Sequence, residues 1–420
     1  PLAGDGADAG PSGNDLDVPE TAQWGTDSFG QWGSAMQLDG ERCASSLGSV
    51  VDTARSFTVS AWVKLDNKAG DQVVVSQAGV HQSAFYLQYR QETDAWHFGV
   101  PNVDDPAAAN WAVAKSSVTA SVDTWTHVAG TMDATNRTVQ IYVDGILRGE
   151  AAMSFQPWAS DGETWVGCSA HSTGTWLPLS GSVHDVRMFD GVVTAEQAGA
   201  IAAKATAYWS LDGDGVDSVS GNNLEFRGSH EWVDDRYGFP ESSYELRLGG
   251  NGYAAANGSG VRTDESYSVT LWAKMTGEDT LQTLVAQNGN VRTAFKIAYR
   301  GETGTFEFFM TDVDAEGGRF HRIVSETTAQ AGVWYHIAAV YDHASNRMHL
   351  YVNGSLEATG NGPPEPWHSD GRVYIGAIGY ESGTSTQNSD AVIDDVAMYS
   401  GVLDERRIAD AACDPVSGCG

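Results

Sequence analysis

Asp212, Asp214 and Asp217 precede the turn Gly221-Asn222-Asn223, and Asp394-Asp395 form a second acidic pair far along the chain. Hard cations such as calcium take roughly six to eight oxygens from carboxylates, amides and carbonyls, so Asp217, Asn222 and Asp394 are candidate ligands of a structural calcium. A turn that merely holds its own backbone would use the same residues. Trp176 sits in the glycine-flanked segment AHSTGTWLPL, where a loop indole would offer its flat face to the C–H side of a sugar ring. The same side chain would serve equally as an anchor under a neighbouring loop. Cys43, Cys168, Cys413 and Cys419 lack the paired spacing of a zinc site and fit disulfides, with three pairings open.

These residues need elements to position them, and composition limits what the elements are. The 420 residues carry 24 Lys+Arg against 55 Asp+Glu, a net charge of −31. Such a surface repels phosphate backbones and anionic lipid, so no nucleic-acid partner is expected. The apolar fraction of 41% is enough for a real core, and no apolar run reaches the length of a membrane span, so no membrane insertion is expected. No basic segment followed by an apolar one opens the chain, which reads as a protein whose export signal is already gone.

The chain repeats itself. SFTVSAWVKL at 56–65 is answered by SYSVTLWAKM at 266–275, VVVSQAG at 73 by TLVAQNG at 283, WTHVAG at 125 by WYHIAA at 334, and IYVDG at 141 by LYVNG at 350. The period inside each copy is two: Phe57, Val59, Ala61 and Val63 alternate with Thr58, Ser60, Trp62 and Lys64, the pattern of a strand with two distinct faces. Asp144-Gly145 and Asn353-Gly354 supply the positive φ of tight hairpins. Helix signals are confined to the ends of the copies, with Thr194 and Gln197 as a capping box and Asp404 as a second cap. The expected class is all-β: two tandem antiparallel β-sandwich domains, 1–204 and 205–412, each ending in a short helix, followed by a tail 413–420 with a cysteine pair. The second copy opens on a Trp-bearing strand for which PLAGDGADAG offers no counterpart, so the chain reads as a piece of a larger protein, clipped in its first strand.

One copy serves as a control for the other. Trp24/Trp232, Trp62/Trp272, Trp125/Trp334 and Trp158/Trp367 pair across the halves and are assigned to packing. Trp32 and Trp176 have no aromatic counterpart, and Tyr380 stands opposite His171. Trp111 and Phe320 correspond to each other on strands of one broad sheet face, where packing and ligand contact are both open to them. Cys43 aligns with Tyr253 and Cys168 with Ala377, a large residue beside a small one. This predicts a Cys43–Cys168 bridge, leaving Cys413–Cys419 as a local loop and implying an oxidising, extracellular setting. His127 and His336 share the motif W-x-H-[VI]-A and have no ligand-spaced partners, so they are read as structural.

Taken together, SFTVSAWVKL, WTHVAGTMDATNRTVQIYVDG, GSVHDVRMF and its partner AVIDDVAMY resemble the laminin-G-like jelly-roll domains of the concanavalin A-like lectin and glucanase superfamily. The resemblance implies two jelly-roll sandwiches, often with a structural calcium, acting as accessory modules of large secreted bacterial proteins. Relatives that are glucanases carry E-x-D-x-x-E on a strand, where alternation turns the carboxylates into one cleft. Here the string is Glu92-Thr-Asp94-Ala-Trp-His97, with a histidine in place of the last carboxylate, which argues against catalysis. The function implied is a non-catalytic tandem module joining other domains of a larger parent protein to a carbohydrate or other cell-surface ligand. The alternative is a spacer or protein-interaction module of a secreted toxin or adhesin, without a sugar site.

Overall fold

A computed structural model of the chain describes residues 6–8, 13–20, 22–29, 33–107, 110–171, 174–234, 236, 244–276, 280–379 and 384–413. It divides into two compact units, Pro1–Ala202 and Ala203–Gly420. Within the first unit, one seven-stranded sheet runs in the order 16–17, 44–46, 164–166, 72–78, 83–90, 95–101, 111–119, and the other in the order 146–152, 138–143, 126–133, 57–65, 180–190, 35–39, 23–25. The second unit repeats both orders, and strand Lys204–Trp209 adds itself to Ala391–Ser400. Every pairing within these sheets is antiparallel, as the period-two pattern requires of hairpin-connected strands. These are two tandem jelly rolls.

Alternation decides which side chains enter each core. Phe57, Val59, Ala61, Val63 and Leu65 pack between the sheets with Phe85, Leu87, Phe98 and Val100. The second unit places Tyr267, Val269, Leu271, Phe295, Ile297 and Phe308 in the same way. The opposite face of Phe57–Leu65 is also dry: Thr58 and Ser60 are fully buried, and Thr58 Oγ1 donates to Gly191 O (2.8 Å) and accepts from Val193 N (3.1 Å). That face is roofed by the segment leading into helix Ala195–Ile201, whose Ala198 packs with Ala129, Tyr142 and Val193.

The local signals are realised as chemistry. Asp144 and Gly145 sit at φ 49° and 75°, and Asn353 and Gly354 at 50° and 79°, the two positive values that match a two-residue turn to strand twist. Thr194 and Gln197 close a reciprocal capping box, while Asp404 accepts the Arg407 N–H at 2.8 Å to start helix Glu405–Ala411.

Candidate functional site

The sheet containing Ser83–Arg90, Ala95–Pro101 and Trp111–Thr119 turns one face to the core and the other outward. Phe85, Leu87 and Tyr89 go inward from the first strand, Trp96, Phe98 and Val100 from the second, and Ala112 and Ala114 from the third. The alternate residues Tyr86, Gln88, Arg90, His97, Gly99, Trp111 and Val113 form the floor of an outward cleft of about 820 Å³. Trp176, on the hairpin Ser169–His171/Gly174–Trp176, stands on its wall, in register with Ser169. Trp111 and Trp176, 65 residues apart in sequence, thus meet at one site, with 42% and 49% of their surfaces exposed. Trp111 ranks among the exposed residues and so contributes to the cleft, not the core.

The cleft is held by polar contacts. Gly99 lies beneath the Trp111 ring, where a methyl would make ordinary contact at 3.7 Å from the indole. The Tyr86 ring supports Trp111 at 5.7 Å between centroids, and its hydroxyl accepts the Ser83 N–H at 2.9 Å. The rim loop at 80–82 is fastened by Asp104, which accepts N–H bonds from Val80 (2.7 Å), His81 (2.9 Å) and Gln82 (2.9 Å). Burial alone would raise the Asp104 carboxyl, but the Gln82, His81 and Val80 amides together hold it below its ordinary value. His97 Nε2 lies 2.8 Å from Thr93 Oγ1, and burial, then the Arg90 and Lys115 charges, pulls its imidazole below the usual range. His97 is therefore held neutral, able to accept as well as donate. Gln88 is buried, and its Oε1 has no hydrogen-bond partner among the described residues. Gln88 also lines the cleft floor, and a buried acceptor left without a donor is rare in a folded protein.

The corresponding face of the second unit differs. Strand pairing puts Lys296 where the first unit has Tyr86, Glu307 where it has His97, Phe309 where it has Gly99, and Phe320 where it has Trp111. The depression there is about 270 Å³, with Phe320 71% exposed beside Phe309. Lys296 reaches Glu307 at 3.1 Å, and Arg300 the same carboxylate at 2.9 Å. Burial lowers the Lys296 ammonium from its ordinary value, against the opposing pull of Glu307. Tyr380 lies outside the described residues, as does Trp32.

The expected calcium ligands are otherwise engaged. Asp217 accepts from Tyr208 N (2.9 Å), Val219 N (2.9 Å), Asn222 N (3.0 Å) and the Ser220 hydroxyl. Asn222 Oδ1 accepts from Gly258 N at 2.8 Å, and its amide donates to Ser259 O at 3.1 Å. Asp394 pairs with Arg236, whose second Nη donates to Asp395 at 2.6 Å. Asp217 and Asn222 thus build a turn, and an arginine already supplies positive charge to Asp394. Among the described residues no three His, Cys, Asp or Glu side chains gather to hold a metal, and this donor set does not fit a shared calcium.

Cys43 and Cys168 are bonded, with Cα atoms 5.8 Å apart. The second unit fills the place with Tyr253 and Ala377 in one apolar cluster with Ala255 and Tyr374. Cys168 immediately precedes the hairpin that carries Trp176, so the bridge tethers the cleft wall. Cys413 is also disulfide-bonded, and Cys419 lies outside the described residues. Glu92 is exposed on the short turn Gln91–Thr93, while the adjacent Asp94 pairs with Lys68 at 2.7 Å and accepts from Tyr89 at 3.1 Å. Neither lines the cleft. His127 and His336 are buried against Trp62 and Trp272, and burial drives His336 down to about 3.

Reading the sequence for isolated aromatics overlooked Tyr86, Gln88, His97 and Gly99. The available signal was the alternation in SAFYLQYR and AWHFGVP, which sends those residues to the face opposite Phe85, Leu87 and Phe98.

Two antiparallel sandwiches with the same strand order, each carrying an outward cleft on the same sheet, define a tandem jelly-roll protein. The laminin-G family model of the concanavalin A-like lectin/glucanases superfamily matches residues 39–199 and 248–409, and the chain belongs to that family. No curated protein matches it. Among solved structures, it is similar to the binding domain of Paraclostridial Mosquitocidal Protein 1, at 16% identity over 50% of this chain and 51% of that one, TM-score 0.40. It is similar to domain 4 of AbnA, an extracellular GH43 arabinanase from Geobacillus stearothermophilus, solved with arabinotriose, at 19% identity over 50% and 98%, TM-score 0.40. A third likeness is to the botulinum neurotoxin serotype D binding domain, at 17% identity over 50% and 51%, TM-score 0.38. The matched region spans about half the length of those toxin binding domains. No helix among the described residues is long and apolar enough to cross a membrane.

Proposed function

We propose that this chain is a non-catalytic glycan-binding module of a larger exported protein, with its principal site in the cleft of the first unit. One observation carries the reading: two exposed indoles, Trp111 and Trp176, share a cleft with buried Gln88, whose Oε1 has no partner among the described residues. Indole faces take the C–H side of a pyranose or furanose ring, and a hydroxyl of the same sugar satisfies the acceptor. The floor chemistry favours an uncharged sugar, since Tyr86, Gln88 and neutral His97 supply most of its polar atoms and Arg90 is paired with Asp71 at 3.2 Å. None of the described lining residues is Asp or Glu, whereas glycoside hydrolysis works through paired carboxylates. The Cys43–Cys168 bridge supports an extracellular location.

The test is a panel of neutral cell-wall oligosaccharides titrated calorimetrically against the intact chain, with calcium and with chelator. Binding is expected on part of the panel, equal in both media, and reduced about ten- to a hundredfold by Trp111→Ala or Trp176→Ala, in line with about 1–3 kcal/mol for a stacked aromatic. Failure to bind any member would move the assignment to a spacer without a sugar site, and binding indifferent to both substitutions would overturn the placing of the site in this cleft.

A further inference from the structure

The second unit's cleft has a chemistry of its own. Three cations, Lys296, Arg300 and Arg322, surround the single carboxylate of Glu307 at 3.1, 2.9 and 3.8 Å. Lys296 also donates to Gln387 Oε1 at 2.9 Å and lies 5.1 Å from the Phe309 centroid. On the rim, exposed Arg292 gives its Nε–H to Ala315 O at 3.1 Å and makes no ion pair among the described residues. Lys296 and Arg292 both line the depression, and no carboxylate does among the described lining residues. The nearby Asp314 spends its oxygens on the Asn290, Val291 and Arg292 amides, at 2.8, 2.8 and 2.7 Å. In a chain of net charge −31, a lining of this sign is a local reversal.

Two further features point to a ligand. Phe320 is the most exposed aromatic of this face, its ring held 5.6 Å from Phe309 at 31°, so its outer face is presented to solvent by a fixed neighbour. Asn288, on the same wall and more than nine-tenths buried, donates through Nδ2 to Gly379 O, yet its Oδ1 has no partner among the described residues. A platform, a buried acceptor without a partner among the described residues and an excess of cations over carboxylates match one kind of ligand. We propose that this depression is a second site, distinct from the first cleft, for a sugar ring bearing an anionic group, uronate or sulfate. Phe320 lies under the ring, Asn288 Oδ1 accepts a hydroxyl, and Arg292 with Lys296 meets the anion.

The experiment titrates the intact chain with two anionic probes, an oligogalacturonate and a κ-carrageenan oligosaccharide. Their uncharged counterparts are a fully methyl-esterified oligogalacturonate and an agaro-oligosaccharide. At least one anionic probe is expected to bind about tenfold or more tightly than its counterpart, and which one identifies the group as carboxylate or sulfate. Phe320→Ala and Arg292→Gln, both at exposed positions, should each weaken that binding about tenfold. Arg292→Lys should restore part of it, and Trp111→Ala should leave it unchanged. The proposal is overturned if neither anionic probe outbinds its counterpart, or if the loss follows Trp111→Ala and not Phe320→Ala. Because neutral-glycan binding is read through Trp111 and anionic binding through Phe320, failure at one cleft is distinguishable from failure at the other.

Discussion

Where the first unit has Gly99 under an indole, the second has Phe309 under a phenyl ring, and this single change of bulk accompanies a drop in cleft volume from about 820 to about 270 Å³. The surrounding changes follow the same direction. Tyr86 and His97, uncharged and hydrogen-bonded, give way to Lys296 and Glu307, which pair with each other. The hairpin of Trp176, tethered by a disulfide, is replaced by the shorter pair Ile378–Gly379/Ser385–Thr386, with no bridge beside it among the described residues. A duplicated sandwich has kept its inward-facing residues and diversified its outward ones, as expected when the core sets the fold and the exposed face is free to vary.

The comparison is most severely tested at the bridge. Cys43→Ala with Cys168→Ala opens a loop closed over 125 residues and is expected to cost about 3–5 kcal/mol. Hydrogen exchange should report lost protection in the first unit, above all around Trp176, with the second unchanged; equal loss in both would refute the idea that the tether serves one cleft. Next in size, Gly99→Phe should give the first cleft the bulk of the second. Neutral-glycan affinity is expected to fall at least about tenfold while the melting temperature holds, since the added ring sits on an outward strand position favourable to aromatics. Retained affinity would show that Trp111 and Trp176 do not act together.

A smaller effect tests what the two units share. Asp104 and Asp314 fasten equivalent loops, and in each the backbone amides, against an opposing burial effect, hold the carboxyl below the ordinary value of 3.8. A depressed folded value means stability present above pH 3.8 and lost as the pH falls through the folded pKa. Asp104→Asn and Asp314→Asn should therefore each lower the melting temperature at neutral pH by similar amounts, with the gap from wild type closing as acid protonates the wild-type carboxylates. A gap that widened in acid would reverse the sign and defeat the argument. Last, Tyr267 buries a hydroxyl without a partner among the described residues where the first unit has Phe57. Tyr267→Phe should stabilise the second unit by about 1 kcal/mol, readable as a rise of about 2–4 °C in its melting temperature. Destabilisation would mean that the hydroxyl is satisfied in solution.

Much of the architecture was legible because it rests on local signals repeated twice: the alternation in SFTVSAWVKL and SYSVTLWAKM, the Asp-Gly and Asn-Gly turns, and the Thr194 box. The disulfide was legible for a different reason, since the duplicate shows Tyr253 and Ala377 filling the same space as Cys43 and Cys168. The acidic loops were ambiguous because carboxylates that cap turns and those that bind cations look alike in a sequence; the donors around Asp217 and Asp394 became visible only in the structure. The clefts were half visible. Trp176 and Trp111 stood out as aromatics, but nothing local says that residues 65 apart line one cleft.

The residue pattern alone determined that this chain is a duplicated antiparallel sandwich, because strand period and turn chemistry are properties of neighbours along the backbone. Only the tertiary structure decided that Trp111 and Trp176 share a cleft, that Gly99 lines the larger cleft and Phe309 the smaller, and that Arg236 pairs with Asp394. Those outcomes depend on which side chains are brought together across strands distant in sequence, and burial, pairing and charge balance exist only once that has happened.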